Sequence, residues 1–452
     1  MLMEVSEINI GKILKDYLPA IAITVAIFAP LILKNPSFGI YLICFLIPIS
    51  PSISIGETDV RDITIRFEDI FFIITLVSWG IRGFYIPKDG YGSRIAAIIL
   101  FFASIYSIST FLFLSPFRWK AQLLFLSKFI QYWLYFIMSY SLLKSEKEIK
   151  NVIIAYFLGV SIALIYWLNG IILEGKIGNA VRFPFHTRFG GRENVGIFAL
   201  GIMTIAFPFM IKAKGIKKLL FPIIFASATL VYFRTLSRAS YLAGVVWLLF
   251  QIFFMRRKDV FIISLILTAA FPFIVPDYVI ERIKYTFEGS GGGEIIGNIY
   301  VESSAFVRWD RWRWFITDQL PESPIFGFGM LGVGLMDNQF FRVWGETGTL
   351  GLIVFIYLIY TIWKFLKMNL KLNYEDKNIE ALSLGITGWF VGILAHTVGA
   401  NTFVILQTAE MFWLLLGTVA SAERLQKHKI IQTFTEKSKN HMLTNRNLAA
   451  NQ

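Results

Sequence analysis

Residues 95–117 read IAAIILFFASIYSISTFLFLSPF, an uncharged run between Arg94 and Arg118. As a helix it is about 34 Å long, enough to cross a hydrocarbon core of about 30 Å. Similar charge-free runs cover 18–33, 37–56, 70–81, 129–143, 151–173, 194–211, 219–233, 239–255, 260–276, 347–363 and 381–409. The last is long enough to turn at His396 to Asn401, where Gly399 and Asn401 interrupt it, giving spans over 381–397 and 402–422. The first two runs together leave room for a partial span.

Composition agrees. At 56% hydrophobic and 16% charged residues, with a mean hydropathy of +0.62, the chain cannot make a water-facing surface over its whole length. The expected fold is an all-α polytopic membrane protein of about 12–13 transmembrane helices with one long outer loop. The net charge of +13 reads as the Lys/Arg excess of cytoplasmic loops, which removes the case for nucleic acid as a partner. One cysteine, Cys44, and four histidines exclude a disulfide framework and a Cys/His zinc site. The first apolar run has no small-residue cleavage site after it and reads as a retained anchor.

Short loops set the orientation. Lys144, Lys147 and Lys150, then Lys212 to Lys218, Arg256 to Lys258, Lys364 to Lys371 and the tail from Arg424 mark the cytoplasmic side. The intervening loops then face outward, and the chemistry is expected there. The chain divides into a transmembrane bundle over 1–276, an outer loop or lid over 277–346, further spans over 347–422 and a basic cytoplasmic tail over 423–452. In the lid, Ser290 to Gly293 reads as a joint, and Trp309, Trp312, Ile316 and Leu320 recur at helical spacing, predicting an amphipathic surface helix. No internal repeat is present, which argues against a repeat-built transporter.

Arginine is concentrated on the side where topology would deplete it. Arg182, Arg188 and Arg192 share one outer loop, Arg234 and Arg238 flank another, and Arg308, Arg311, Arg313 and Arg342 lie in the third. Guanidinium groups match phosphate oxygens in pairs and stay charged when partly desolvated. The alternative is pairing with lipid headgroups or with the acidic residues of the long loop. Arg238 follows Ser237, a cap for the helix beginning there, so its guanidinium is expected beside free amides and a positive dipole end. Lys128 and Glu410 fall at matched depth inside two spans, and a structural pair between them stands beside a substrate role. Glu68 and Asp69 lie near the outer end of a short span. Gly327 to Gly334 fits GxGxxG, but no strand precedes it, so tight turning is expected and dinucleotide binding is not. No catalytic triad, HExxH or P-loop occurs.

Three stretches then carry a resemblance: Arg188-Phe-Gly-Gly-Arg-Glu-Asn194; Thr235-Leu-Ser-Arg-Ala239; and Arg308 to Trp314 through Pro324 to Gly329 to Asp337-Asn-Gln-Phe-Phe-Arg-Val-Trp-Gly-Glu-Thr-Gly348. In order and spacing they resemble the O-antigen ligase and polymerase superfamily of surface polysaccharide assembly. The resemblance covers roughly residues 60–422. It implies a metal-independent glycosyltransferase, without cofactor, taking a polyprenyl diphosphate-linked glycan as donor at the outer face of the cytoplasmic membrane. Its partners would be that donor, a glycan acceptor, membrane lipids and a chain-length regulator or other assembly proteins. Arg188 and Arg238 are the expected diphosphate holders. Arg182, Arg192, Arg234, Arg308, Arg311, Asn338, Lys128 and Glu410 are the expected further substrate contacts. Ligases resemble a pattern of His, then Asn or Leu, six residues and Gly; here Asp337-Asn338 and Gly345 keep the spacing with aspartate in the histidine position. Asp337 is therefore the expected acceptor-side base, with helix capping or pairing with Arg342 as the alternative. The swap favours a polymerase joining lipid-linked repeat units over a ligase. A flippase or exporter of lipid-linked sugars is the non-enzyme alternative, opposed by the absence of arginines in the inner halves of the spans. A metal-dependent glycosyltransferase would use an acidic pair such as one drawn from Asp59, Asp62, Glu68 and Asp69, but such enzymes end in a large outer domain.

Overall fold

The computed structural model describes residues 10–57, 62–184, 191–215, 217–254, 262, 266, 277–288, 293–294, 300–334 and 336–450. In chain order these form α1 (Ile10–Lys34), α2 (Pro36–Leu46), β1 (Ser52–Glu57), β2 (Asp62–Arg66), α3 (Phe67–Ile81), α4 (Gly90–Leu112), α5 (Trp119–Leu142), α6 (Glu146–Leu173), α7 (Arg192–Lys212), α8 (Lys217–Arg234) and α9 (Arg238–Phe254). Then follow α10 (Asp277–Glu288), β3 (Gly293–Glu294), β4 (Tyr300–Val301), α11 (Ser303–Trp314), α12 (Gln339–Asn369), α13 (Lys377–His396) and α14 (Leu406–Ala450). The helices α4, α6, α7, α12 and α13 are long and apolar enough to cross a membrane. The chain is a predominantly helical, membrane-embedded protein. Along α6, Ile154, Leu158, Ile162, Ile165 and Ile172 are exposed on one flank, as lipid contact requires.

The core is built where α7 packs on α8 and α13, α5 on α14, α9 on α13, and α4 on α12. Small residues bring backbones together at these crossings: a Cβ on Gly385 would lie 2.6 Å from Ile205 Cα, and one on Gly417 2.3 Å from Phe136 O. Trp167, Trp247, Trp389 and Trp413 fill the space between.

One end of the bundle carries the basic turns, and ion pairs tie them together: Lys150 to Asp376 at 2.5 Å, Lys212 to Glu380 at 2.7 Å, and Lys429 to Glu146 at 2.7 Å. Asp376 also caps α13, accepting from the amides of Asn378 and Ile379 at 2.8 and 3.4 Å. Burial pushes its carboxyl upward, but the Lys150 ammonium and the two amides outweigh this and hold it below the usual value. A folded-state pKa below the unfolded one, near 3.9, contributes stability that is present above about pH 4 and lost as pH falls through the folded value. Asp376→Asn should therefore lower the melting temperature at pH 7, with the gap to wild type closing below about pH 4. A gap of the same size at both pH values would contradict the assignment.

Several sequence expectations change here. The run 37–56 is not one span: α2 has eleven residues and the chain then enters the hairpin of β1 and β2, with Ser52 opposite Arg66. The fold is thus not purely helical. Pro48 and Pro51 follow α2, which interrupts any continuation of the helix. Most of the run 260–276, most of the Ser290 to Gly293 joint and residues 185–190, Arg188 among them, lie outside the described residues. The proposed boundary at 422/423 falls inside the continuous helix α14.

The face of the surface helix also differs. A π-helical turn over Phe315–Gln319 continues α11 and shifts the register, so Phe315 and Leu320 are buried while Ile316 is exposed. Phe315, Leu320, Val333 and Met336 make a small separate core against Trp312, Phe341 and Trp344.

The helix α12 is broken at Gly348, which has φ 67° and ψ −172°. The glycine-rich stretch docks along this break. Phe328 N donates to Gly345 O at 2.8 Å, Gly329 N to Glu346 O at 3.0 Å and Thr349 N to Pro324 O at 2.8 Å. Backbone groups freed within an apolar bundle need such partners. A Cβ on Gly348 would stand 2.0 Å from Ile325 O, in backbone space reserved for glycine. Gly348→Ala should cost about 3 kcal/mol or more, from strain plus overpacking. An unchanged melting temperature in detergent would refute this docking.

Candidate functional site

Opposite the basic turns, four helix starts gather around the turn between α13 and α14. Gln339 N donates to Thr397 O at 3.1 Å and Asn338 Nδ2 to Val398 O at 3.0 Å, so the start of α12 rests on this turn. A Cβ on Gly399 would touch Ala239 Cβ at 3.3 Å, which brings in the start of α9. The first turn of α7 lies beside it, since a Cβ on Gly196 would meet Ser240 Oγ at 2.4 Å and Thr235 Oγ1 at 3.1 Å. Asn194 Nδ2 donates to Gln407 Oε1 at 2.7 Å, and Thr408 Oγ1 donates to Asn194 Oδ1 at 2.9 Å, joining α7 to the start of α14. Each start presents the positive end of a helix dipole.

A buried polar chain runs through the centre. His396 Nδ1 lies 2.7 Å from Thr402 Oγ1 and its Nε2 3.3 Å from Ser240 Oγ. Ser240 Oγ donates to Ser237 Oγ at 2.8 Å, and Ser237 Oγ accepts from Ser240 N at 3.3 Å, so Ser237 caps α9. Leu236, just before the cap, has φ 54°, a strained value for a branched side chain that marks a tightly specified turn.

The arginines come to this end by different routes. Arg238 bonds to Glu302 and to Ser304 Oγ, at 3.0 Å for the latter, which pins the start of α11 over the start of α9. Arg192 pairs with the neighbouring Glu193 at 3.1 Å. Arg234 stacks on Tyr278, 5.5 Å from the ring centre, and its Nε is buried without a hydrogen-bond partner among the described residues. Arg308 holds Asp337 at 2.9 Å, with both side chains partly exposed. Arg311 donates to Val333 O at 2.9 Å and lies 4.7 Å from the Trp314 ring centre. Arg182 is half-buried, and its carbonyl accepts from Trp167 Nε1 at 2.7 Å. Nothing described bears on Arg188.

Asp337 neither caps a helix nor meets Arg342. The cap is its neighbour: Asn338 Oδ1 accepts from Phe340 N and Phe341 N at 2.9 and 3.2 Å. Asn338 is 6% exposed, with both ends of its amide bonded within the fold. Arg342 instead pairs with Glu346 at 3.1 Å, and Glu346 also accepts from Tyr106 at 2.7 Å and Leu331 N at 3.0 Å.

The pair expected between Lys128 and Glu410 is replaced by a larger network. Lys128 Nζ donates to Asp69 Oδ1 at 2.6 Å, and Gln131 Nε2 donates to the same oxygen at 2.7 Å. Glu410 Oε2 accepts from Arg66 Nη1 at 2.7 Å, while Arg66 Nη2 sits 2.5 Å from Glu68 Oε1 and donates to Ile47 O at 2.8 Å. Glu410 is fully buried and its Oε2 is held by Arg66, which ties the start of α14 to the hairpin. Arg66 wins because the hairpin of β1 and β2 delivers its fork beneath the start of α3, and a fork serves several acceptors where an ammonium at Lys128 serves the nearest. Sequence reading missed Arg66; its signal was a charge one position before an apolar helix carrying two further acids. One oxygen each of Glu68, Asp69 and Glu410 lie within 4.8 Å of one another, a spacing that suits a cation. Arg66 and Lys128 already supply positive charge to that group.

No protein-family model matches this chain, and a search of curated proteins finds no relative.

Proposed function

We propose that the chain is a polysaccharide polymerase that joins polyprenyl diphosphate-linked repeat units, working without a metal at the outer face of the cytoplasmic membrane. The observation that carries this reading is the gathering of four helix starts, with Arg192 and Arg238 opening two of them, around one turn. Cleaving a sugar to phosphate bond builds negative charge on the diphosphate, and amides, dipole ends and guanidiniums fixed in advance stabilise that charge. The basic turns gathered at the opposite end favour the orientation with the helix starts outward. The described parts of the three sequence stretches similar to the O-antigen ligase and polymerase superfamily fall on this end: the starts of α7 and α9, and the segment from α11 into α12. In this reading Glu302 keeps Arg238 in position until the donor's diphosphate competes for it, and Asp337, held by Arg308 at the exposed edge, takes the acceptor hydroxyl proton.

The test is incubation of the purified protein with one lipid-linked repeat unit. A ladder of longer lipid-linked products, undiminished by chelator, is expected. Transfer to a second lipid without a ladder would make the chain a ligase, and translocation without any new glycosidic bond would make it an exporter.

A further inference from the structure

At the basic end, a cavity of about 570 Å³ opens between the connection from α3 to α4, the turn from α5 to α6, and α14. Its charges are not balanced. Lys429, on its wall, donates to Glu146 at 2.7 Å and Glu375 at 3.1 Å, and His428 Nε2 lies 3.3 Å from Asp89. The lining carries two acids, Asp89 and Glu146, against the cations Lys144, Arg424 and Lys429. Two cations remain, Lys144 and Arg424, neither with a carboxylate partner among the described residues. Arg424 donates to Leu143 O at 2.9 Å and lies 5.2 Å from the Tyr140 ring centre, which fixes the guanidinium in place and leaves most of its N–H groups without a partner among the described residues. Ser141, in the same wall, has a buried hydroxyl without a hydrogen-bond partner among the described residues. The 28-residue helix α6 begins at this wall, its first turn capped by Ser145 and Glu148.

We propose that this cavity binds a phosphate ester, with Arg424 and Lys144 as its charge partners. A fixed fork beside a mobile ammonium suits tetrahedral phosphate oxygens, because the fork takes two of them and the ammonium a third. The volume far exceeds a bare phosphate, and Tyr85, Pro87 and Leu425 offer apolar wall for the organic part of an ester. Anionic lipid headgroups and soluble phosphate esters share this chemistry.

Native mass spectrometry separates the two sources. Wild type, Arg424→Gln and Lys144→Glu would be released from nanodiscs of mixed phosphatidylglycerol and phosphatidylcholine, and separately titrated with glycerol 3-phosphate in detergent. Wild type is expected to retain phosphatidylglycerol over phosphatidylcholine, or to bind glycerol 3-phosphate, with at least fivefold lower occupancy in both variants. Retained lipid identifies a headgroup site, and glycerol 3-phosphate binding alone identifies a soluble ester. Lys144 is exposed, so Lys144→Glu decides the matter if Arg424→Gln fails to fold. Equal occupancy in wild type and Lys144→Glu, or no binding of either probe, overturns the proposal. The readout is independent of glycan transfer.

Discussion

Arg66→Met should remove a large share of the protein's stability. Arg66 is 1% exposed and its fork satisfies Glu410, Glu68 and the Ile47 carbonyl together. Methionine fills much of the same space but leaves two carboxylates buried with no guanidinium. Removing one partner of a buried ionic group costs about 3–5 kcal/mol, against a whole-protein stability of about 5–15 kcal/mol. Folded material extracted in mild detergent should fall sharply, and what survives should melt well below wild type. Adding Glu410→Leu should recover part of the loss, since the double variant removes one of the stranded charges along with its partner. Lys128→Met should cost less, because Asp69 keeps Gln131 Nε2 and the Arg66 amide, the latter at 3.1 Å. If Arg66→Met melts within a degree of wild type, or if Lys128→Met is the more damaging change, the ranking of the network is wrong.

This network also marks where sequence reading stops. Helices are legible because charge-free runs of spanning length have few other ways to satisfy their backbone in lipid, and α4, α6, α7 and α13 appear close to where the charges predict. Partners across the bundle are not legible, because depth along a helix says nothing about its azimuth. Lys128 and Glu410 are matched in depth, yet the acid nearest to Lys128 comes from α3 and the cation nearest to Glu410 comes from a hairpin whose first strand hydropathy reads as part of a span. Single-residue shifts are equally invisible. The capping side chain is Asn338 and not Asp337, and one π-helical turn moves the buried face of the surface helix from Ile316 to Phe315. The turn at His396 to Asn401 was legible from Gly399 and Asn401, but its role as the meeting point of four helix starts depends on how α7, α9, α12 and α14 pack.

Asp337→Asn should lower the rate of glycan transfer by about 10²-fold or more while leaving the fold intact. The stability half of this expectation follows from exposure: the Asp337 and Arg308 side chains are 53% and 35% exposed, and pairs in such surroundings contribute little. The amide keeps the size of the carboxylate and can still accept a hydrogen bond from Arg308, so the loop from α11 to α12 should stay where it is. What it cannot do is take a proton from an acceptor hydroxyl. Arg308→Gln separates the two roles. If Asp337 served only to anchor the loop through its ion pair, cutting that pair from the arginine side would reduce transfer as much as Asp337→Asn does. If the carboxylate is the base, Arg308→Gln should lose far less, because the proton acceptor remains and only its orientation is loosened. Rates measured at saturating lipid-linked substrate, with donor binding assayed separately, distinguish loss of chemistry from loss of affinity. Wild-type rates for Asp337→Asn would remove it from the chemistry. A loss in Arg308→Gln equal to that in Asp337→Asn would reduce Asp337 to a positioning residue. Either outcome would turn the search to the other acids of this end, among which Glu302 lies against Arg238 and is 4% exposed, whereas Glu346 is fully buried and bonded to Arg342, Tyr106 and Leu331.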